Sequence, residues 1–105
     1  IKIAAEETKF GWNFEELKNI LLSGKHLACP DVIICGVMGM ASLTNDLNQV
    51  RNEMKSLKAS FDHLKDHHFK NDPVFDTISV GMSGDYNIAL EEGSTMIRIG
   101  SLLFS

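Results

Sequence analysis

Apolar and polar positions along this chain alternate between two rhythms. Ile1-Lys2-Ile3-Ala4-Ala5 alternates with the two-residue period of a strand, and Glu6 to Gly11 is a polar stretch that reads as a loop. From Asn13 the period lengthens. Phe14, Leu17, Ile20 and Leu21 recur at helical spacing, with Asn13 where an N-cap belongs and Glu15 and Glu16 in the first turn, where the helix dipole favours negative charge. Ser23-Gly24 closes that segment. Val32 to Met38 is then a continuous apolar run of strand length, suited to a parallel strand covered on both faces.

A longer helix follows, with Thr44 or Asn45 as its cap and Leu47, Val50, Met54, Leu57, Phe61 and Leu64 as its apolar stripe almost to His68. Asn71-Asp72-Pro73 breaks it. Thr77 to Met82 reads as a third strand, and Asp85 to Glu92 as a short helix stopped by Gly93. Met96 to Gly100 reads as a fourth strand, with Leu102-Leu103-Phe104 opening a further element. The order β-α-β-α-β-α-β predicts four parallel strands, three helices and right-handed crossovers. That is a piece of a doubly wound sheet or half of a (β/α)8 barrel, which takes about 250 residues to close. The strand-like opening at Ile1 reads as a cut through an element, so the expectation is one segment, residues 1–105, of a longer barrel domain.

Composition narrows the function classes. The 105 residues carry 14 acidic and 10 basic side chains, a formal charge of −4, so no basic face is expected to neutralise nucleic-acid phosphates. No apolar run approaches the ~18 residues of a membrane span. Cys29 and Cys35 lack the spacing of a redox or metal pair and read as core thiols of a reduced, cytoplasmic protein. His63 and His67 stand one turn apart on the long helix, a spacing that can hold zinc, but no further ligand cluster accompanies them and no metal is expected. The methionines read mostly as packing residues and Trp12 as a packing anchor.

The candidate chemistry lies in the last third. Thr77-Ile-Ser-Val-Gly-Met-Ser-Gly-Asp85 places glycines and serines where a strand gives way to a helix, a place where backbone N–H groups can approach an anion. In Met96-Ile97-Arg98-Ile99-Gly100 alternation sets Arg98 on the face opposite Ile97 and Ile99. If the isoleucines meet the helices, the guanidinium faces the mouth of the barrel and needs an anionic partner. Two partners fit: a ligand phosphate, or a carboxylate such as Asp85.

Ser79-Val-Gly-Met-Ser-Gly-Asp85, followed by Ala89-Leu-Glu-Glu-Gly-Ser-Thr-Met-Ile-Arg-Ile-Gly100, closely resembles the carboxy-terminal signature of the pyridoxal phosphate homeostasis protein family, whose fold is similar to the amino-terminal barrel of alanine racemase. Glu6-Glu-Thr-Lys-Phe-Gly11 resembles the family's loop after its fifth strand, and Cys35-Gly-Val-Met-Gly-Met40 its sixth-strand segment. The resemblance runs in order along all 105 residues. It implies the carboxy-terminal half of a (β/α)8 barrel and a non-catalytic protein that holds pyridoxal 5′-phosphate. Ser83, the Gly81–Gly84 loop, Arg98 and Gly100 would take the phosphate, and Ser79 and Met82 would line the pocket. It also implies that the family's Schiff-base lysine lies on the first barrel strand, in a segment this chain does not contain; none of the eight lysines here stands inside an apolar strand. The implied partners are the cofactor and either the missing amino-terminal half barrel or a second copy of this chain. Two other readings stay open: part of a fold-type III enzyme such as an alanine racemase, and a phosphate-binding α/β module of other parentage.

Overall fold

Helix α1 (Phe14–Ser23) starts and stops where its end residues dictate. The Asn13 carboxamide accepts from the Glu16 amide at 2.9 Å while the Glu16 carboxylate accepts from the Asn13 amide at 3.3 Å, a reciprocal capping box. Gly24 ends the helix at φ 74°, a left-handed conformation that costs a glycine little. The computed structural model describes residues 1, 3–4, 11–28 and 31–104. Along these, a 3₁₀ turn (Lys25–Ala28) leads to strand β1 (Gly36–Met38), helix α2 (Leu47–His67), strand β2 (Thr77–Ser79), helix α3 (Tyr86–Glu91) and a single-turn helix α4 (Ser101–Phe104).

The two strands are parallel, in the register Gly36 to Thr77, Val37 to Ile78 and Met38 to Ser79. Alternation sends Val37 and Ile78 to one face, where α2 buries Val50, Met54, Leu57 and Leu64 against them together with Val80, Phe75 and Ala89. Phe75 stacks on Phe61 and Phe69 at ring separations of 5.2 and 4.1 Å, closing the core below the strands. Arg51 reaches from α2 to Glu91 and Glu92 at 2.6 Å each and ties α3 to the same helix.

The parallel β-α-β order is as expected; the extent of the sheet is not. Two strands form among the described residues rather than four. Of the first predicted strand, Ile1, Ile3 and Ala4 are described and do not form a strand; Lys2 and Ala5, the loop after it as far as Phe10, and Cys29 lie outside the described residues. Val32 to Cys35 stay out of the ladder: the Cys35 carbonyl takes both the Asp76 and Thr77 amides, and Val32 and Ile33 lie beyond that point, 64% and 71% exposed. β2 ends at Ser79 instead of Met82. The predicted fourth strand does lie parallel to β2, but as the single bridge Ser79 to Met96. Two backbone bonds make that bridge, the Met96 amide to the Ile78 carbonyl and the Val80 amide to the Met96 carbonyl, both at 3.1 Å; beside them the Thr95 hydroxyl accepts from the Ile78 amide at 2.8 Å, and the Ser94 hydroxyl sits within 3.1 Å of the Ile78, Val80 and Met96 carbonyls. The cap of α2 is Asp46, whose carboxylate accepts from the Gln49 amide at 3.2 Å; the expected cap Thr44 instead turns its hydroxyl to the Asp46 amide.

Of the methionines, Met54 is buried in the core, whereas Met38, Met40, Met82 and Met96 are exposed. Trp12 is half exposed at the edge of an apolar cleft of about 500 Å³ between α1 and β1, so its packing is partial. His63 and His67 stack at 4.0 Å, and Phe14 of α1 meets the His63 ring edge-on at 5.1 Å. Among the described residues no group of three metal-capable side chains forms around them.

Partial burial, reinforced by His67, Lys18 and His68 and opposed by Asp66, pushes the His63 imidazole below its usual range. Folding therefore favours neutral His63, and the unfolded chain binds the extra proton as pH falls below its ordinary value of 6.5. Stability from this contact is complete above that pH and declines below it. The thermal midpoint should fall as pH drops through 6, and fall less in His63→Leu; equal pH slopes in the two proteins would remove His63 from the effect.

Candidate anion site at the carboxyl ends of the strands

The face of the sheet turned away from α2 carries a short row across its strands. Met38 pairs with Ser79 and Ser79 with Met96, and aligned residues of parallel strands point the same way. Ser79 is thereby buried, 9% exposed, between two methionines that are each about half exposed. Two residues on, Arg98 rises from the same face, while Ile97 packs into the core on the other side, as alternation requires.

The backbone sets Arg98 at the carboxyl end of β2. Its amide donates to the Gly81 carbonyl at 2.9 Å, and its Nη2 donates to the Gly39 carbonyl, just past β1, at 3.0 Å. Gly39 in turn donates its amide to the Ser79 carbonyl at 3.1 Å. The Arg98 Nε is buried and has no hydrogen-bond partner. The alternative expectation, an ion pair with Asp85, is not met: among the described residues no carboxylate lies within ion-pair distance of Arg98. Asp85 is engaged elsewhere, accepting from the Met82 amide at 2.7 Å while its own amide donates to the Met82 carbonyl at 3.2 Å. These two bonds close the 82–85 turn into a fixed loop. Gly81 enters it at φ 108°, and a Cβ there would lie 2.6 Å from that of Ala89. Opposite the turn, the Gly100 amide donates to the Ser83 hydroxyl at 3.3 Å, joining the loop after β2 to the start of α4.

Of the five residues expected at the site, the structure brings Ser83, Gly100 and Arg98 to one end of the sheet. Ser79 lies deeper on the same face and Met82 is exposed on the loop. Sequence reasoning missed that the acceptor for Arg98 is the Gly39 carbonyl, which arrives from 59 residues away. It also missed Glu53 and Ser42, which hold the loop carrying Gly39: the Glu53 carboxylate accepts from the Ser42 amide at 2.6 Å and from its hydroxyl at 2.8 Å. The signal for Glu53 was present, since it stands between Val50 and Leu57 on the buried stripe of α2. Among the described residues the one carboxylate at this loop, Asp85, is turned onto the Met82 amide, and a guanidinium nitrogen left unsatisfied beside it suits an anion, the planar fork matching a phosphate or carboxylate.

No protein-family model matches the chain. Curated relatives do. A pyridoxal phosphate homeostasis protein of Aquifex aeolicus is 33% identical over 104 residues, covering 99% of this chain and 43% of that protein. The protein of the same name from Synechocystis is 35% identical over 107 residues, 99% of this chain and 45% of its own length. Among solved structures, PipY of Synechococcus elongatus superposes with a TM-score of 0.82 without pyridoxal phosphate (27% identity, 95% of this chain, 45% of PipY). With pyridoxal phosphate bound to PipY the score is 0.80 (25% identity, 97% of this chain, 47% of PipY). The chain thus spans less than half the length of the relatives it matches.

Proposed function

The chain is a homologue of the pyridoxal phosphate homeostasis proteins along nearly its whole length, and from that premise we propose that it supplies the phosphate-holding part of a pyridoxal 5′-phosphate site. One observation carries this reading: a buried guanidinium nitrogen, Arg98 Nε, stands without a partner at the carboxyl ends of parallel strands, the end at which α/β folds bind ligands. Arg98 Nε donates to a phosphate oxygen while Gly39 holds its Nη2. The Ser83 hydroxyl and the Gly81–Gly84 loop bound the phosphate on one side and Gly100 on the other. Ser79, with the flanking Met38 and Met96, offers a polar point between apolar surfaces to the rest of the cofactor; Met82 covers it from the loop. When bound, pyridoxal phosphate supplies an aldehyde carbon and an electron-withdrawing ring. A fluorescence titration with pyridoxal phosphate, competed by inorganic phosphate, tests the reading: saturable binding relieved by phosphate supports it, and binding indifferent to phosphate contradicts it.

The role is holding rather than turnover. Among the described residues Lys18, Lys55, Lys58 and Lys65 lie on α1 and α2, Lys25 in the 3₁₀ turn and Lys70 just past α2, none of them on a strand, and Asp85 is committed to its own turn. Among these described lysines and Asp85 we identify no proton carrier for the site. Borohydride treatment of the chain mixed with pyridoxal phosphate should fix no stoichiometric label on a single lysine. A label that disappears on substituting one particular lysine would contradict this.

The fold is proposed to be half of a (β/α)8 barrel, completed by an amino-terminal half barrel or by a second copy of the chain. Met38, Met82 and Met96 face the side away from α2 or its loop and are each close to half exposed, whereas Val37 and Val80 are buried in the core. Covering an apolar side chain is worth about 1.5–3 kcal/mol, enough for several to drive association. Light scattering at micromolar concentration should show a mass above that of one chain; a monomer across that range would contradict pairing between copies.

A further inference from the structure

We infer that Glu53 is a positioning residue for Arg98, acting through Ser42 and the Gly39 carbonyl; this rests on reading the strand ends as an anion site. Glu53 is a carboxylate 9% exposed on the buried face of α2. It takes part in none of the ion pairs among the described residues. Its two oxygens instead receive the Ser42 amide at 2.6 Å, the Ser42 hydroxyl at 2.8 Å and the Gln49 carboxamide at 3.0 Å. Ser42 is itself buried, so its amide and hydroxyl both need an acceptor there, and Glu53 supplies one for each. What two carboxylate oxygens add is direction: gripping both the amide and the hydroxyl of Ser42 stops the loop from turning or sliding.

One helical turn further along the same face stands Leu57, wholly buried, against Gly39. A Cβ on Gly39 would come within 3.0 Å of Leu57 and 3.1 Å of Ile3, so the backbone approaches the helix as closely as a glycine allows. The segment from Gly39 to Ser42 is thus pinned to α2 at both ends. Between those pins the Gly39 carbonyl meets Arg98 Nη2 at 3.0 Å. With one nitrogen held, rotation of the guanidinium is restricted and the buried Nε keeps a fixed direction.

The test uses Glu53→Leu, which keeps an apolar stripe, Glu53→Gln, and Ser42→Ala as a milder cut of the same link. The first readout needs no cofactor. In ¹⁵N spectra the Arg98 Nε–H signal, assigned by its loss in Arg98→Lys, should exchange with solvent about tenfold faster in the Glu53 variants, and by more than in Leu21→Ala, a core variant outside this link that is also destabilised. The second is a double-mutant cycle on pyridoxal phosphate affinity: Glu53→Leu should weaken binding in the parent and have no further effect beside Arg98→Lys. Unchanged Nε–H exchange in a folded variant, or equal losses of affinity in both backgrounds, would overturn the inference. If Glu53→Leu does not fold, Ser42→Ala must still quicken the exchange; no change there overturns it too. A parent that binds no cofactor but shows the exchange effect would remove the phosphate reading and leave the link from Glu53 to Arg98 standing.

Discussion

Arg98→Ala should weaken pyridoxal phosphate binding by about 10- to 150-fold, the equivalent of roughly 1.5–3 kcal/mol for a hydrogen bond to a charged group. The reason lies in what the substitution removes. Arg98 has one guanidinium nitrogen on the Gly39 carbonyl and a second, Nε, buried and unpartnered. An orphaned buried donor costs the protein until an acceptor arrives, so the binding free energy includes relief of that cost. The free protein should accordingly lose little stability in Arg98→Ala, and the loss should fall on affinity. Arg98→Lys should recover only part of it, because an ammonium cannot bond Gly39 and the ligand from one rigid plane. Isothermal titration of the three proteins measures this; an affinity unchanged in Arg98→Ala would take Arg98 out of the site.

The second large effect is on the fold. Gly81→Ala should destabilise the chain by roughly 2–5 kcal/mol, combining the strain of an L residue at positive φ with overpacking. At φ 108° the backbone of Gly81 lies where side chains are rarely accommodated, and the new Cβ would meet that of Ala89, fully buried, at 2.6 Å. Ala89 sits on α3, so relief would require moving that helix off the core. Against a typical total of about 5–15 kcal/mol such a change leaves a marginal protein. Urea unfolding should show a lower midpoint with little change in slope; a loss under about 1 kcal/mol would mean that the loop relaxes freely.

The helices were legible because their signals are local. Asn13, Glu16 and Gly24 specify α1 through contacts three residues apart, and the stripe of α2 depends on its own spacing. The strands were less legible because a strand's extent is set by its neighbour. Nothing in Val32-Ile33-Ile34 shows that the ladder stops at the Cys35 carbonyl, where two amides converge. Likewise, nothing local to Ser94 and Thr95 shows that their hydroxyls reinforce the bridge beside Ile78. At the candidate site, alternation placed Arg98 on the face opposite Ile97, as observed. The residue that receives its guanidinium could not be read, because Gly39 meets Arg98 only through tertiary packing on Leu57. Glu53 was passed over for a related reason. A charge within an apolar stripe looks like an exception until its partner on the next loop is known.

Everything proposed for this chain follows from the carboxyl ends of the strands forming the phosphate end of a cofactor site around Arg98. The most direct measurement is a ¹⁵N-resolved titration of the chain with pyridoxal 5′-phosphate. Saturable shifts confined to Gly39, the Gly81–Gly84 loop, Gly100 and the Arg98 Nε–H are expected, with the last moving furthest. Saturable shifts clustered elsewhere, with Arg98 Nε–H unmoved, would contradict this.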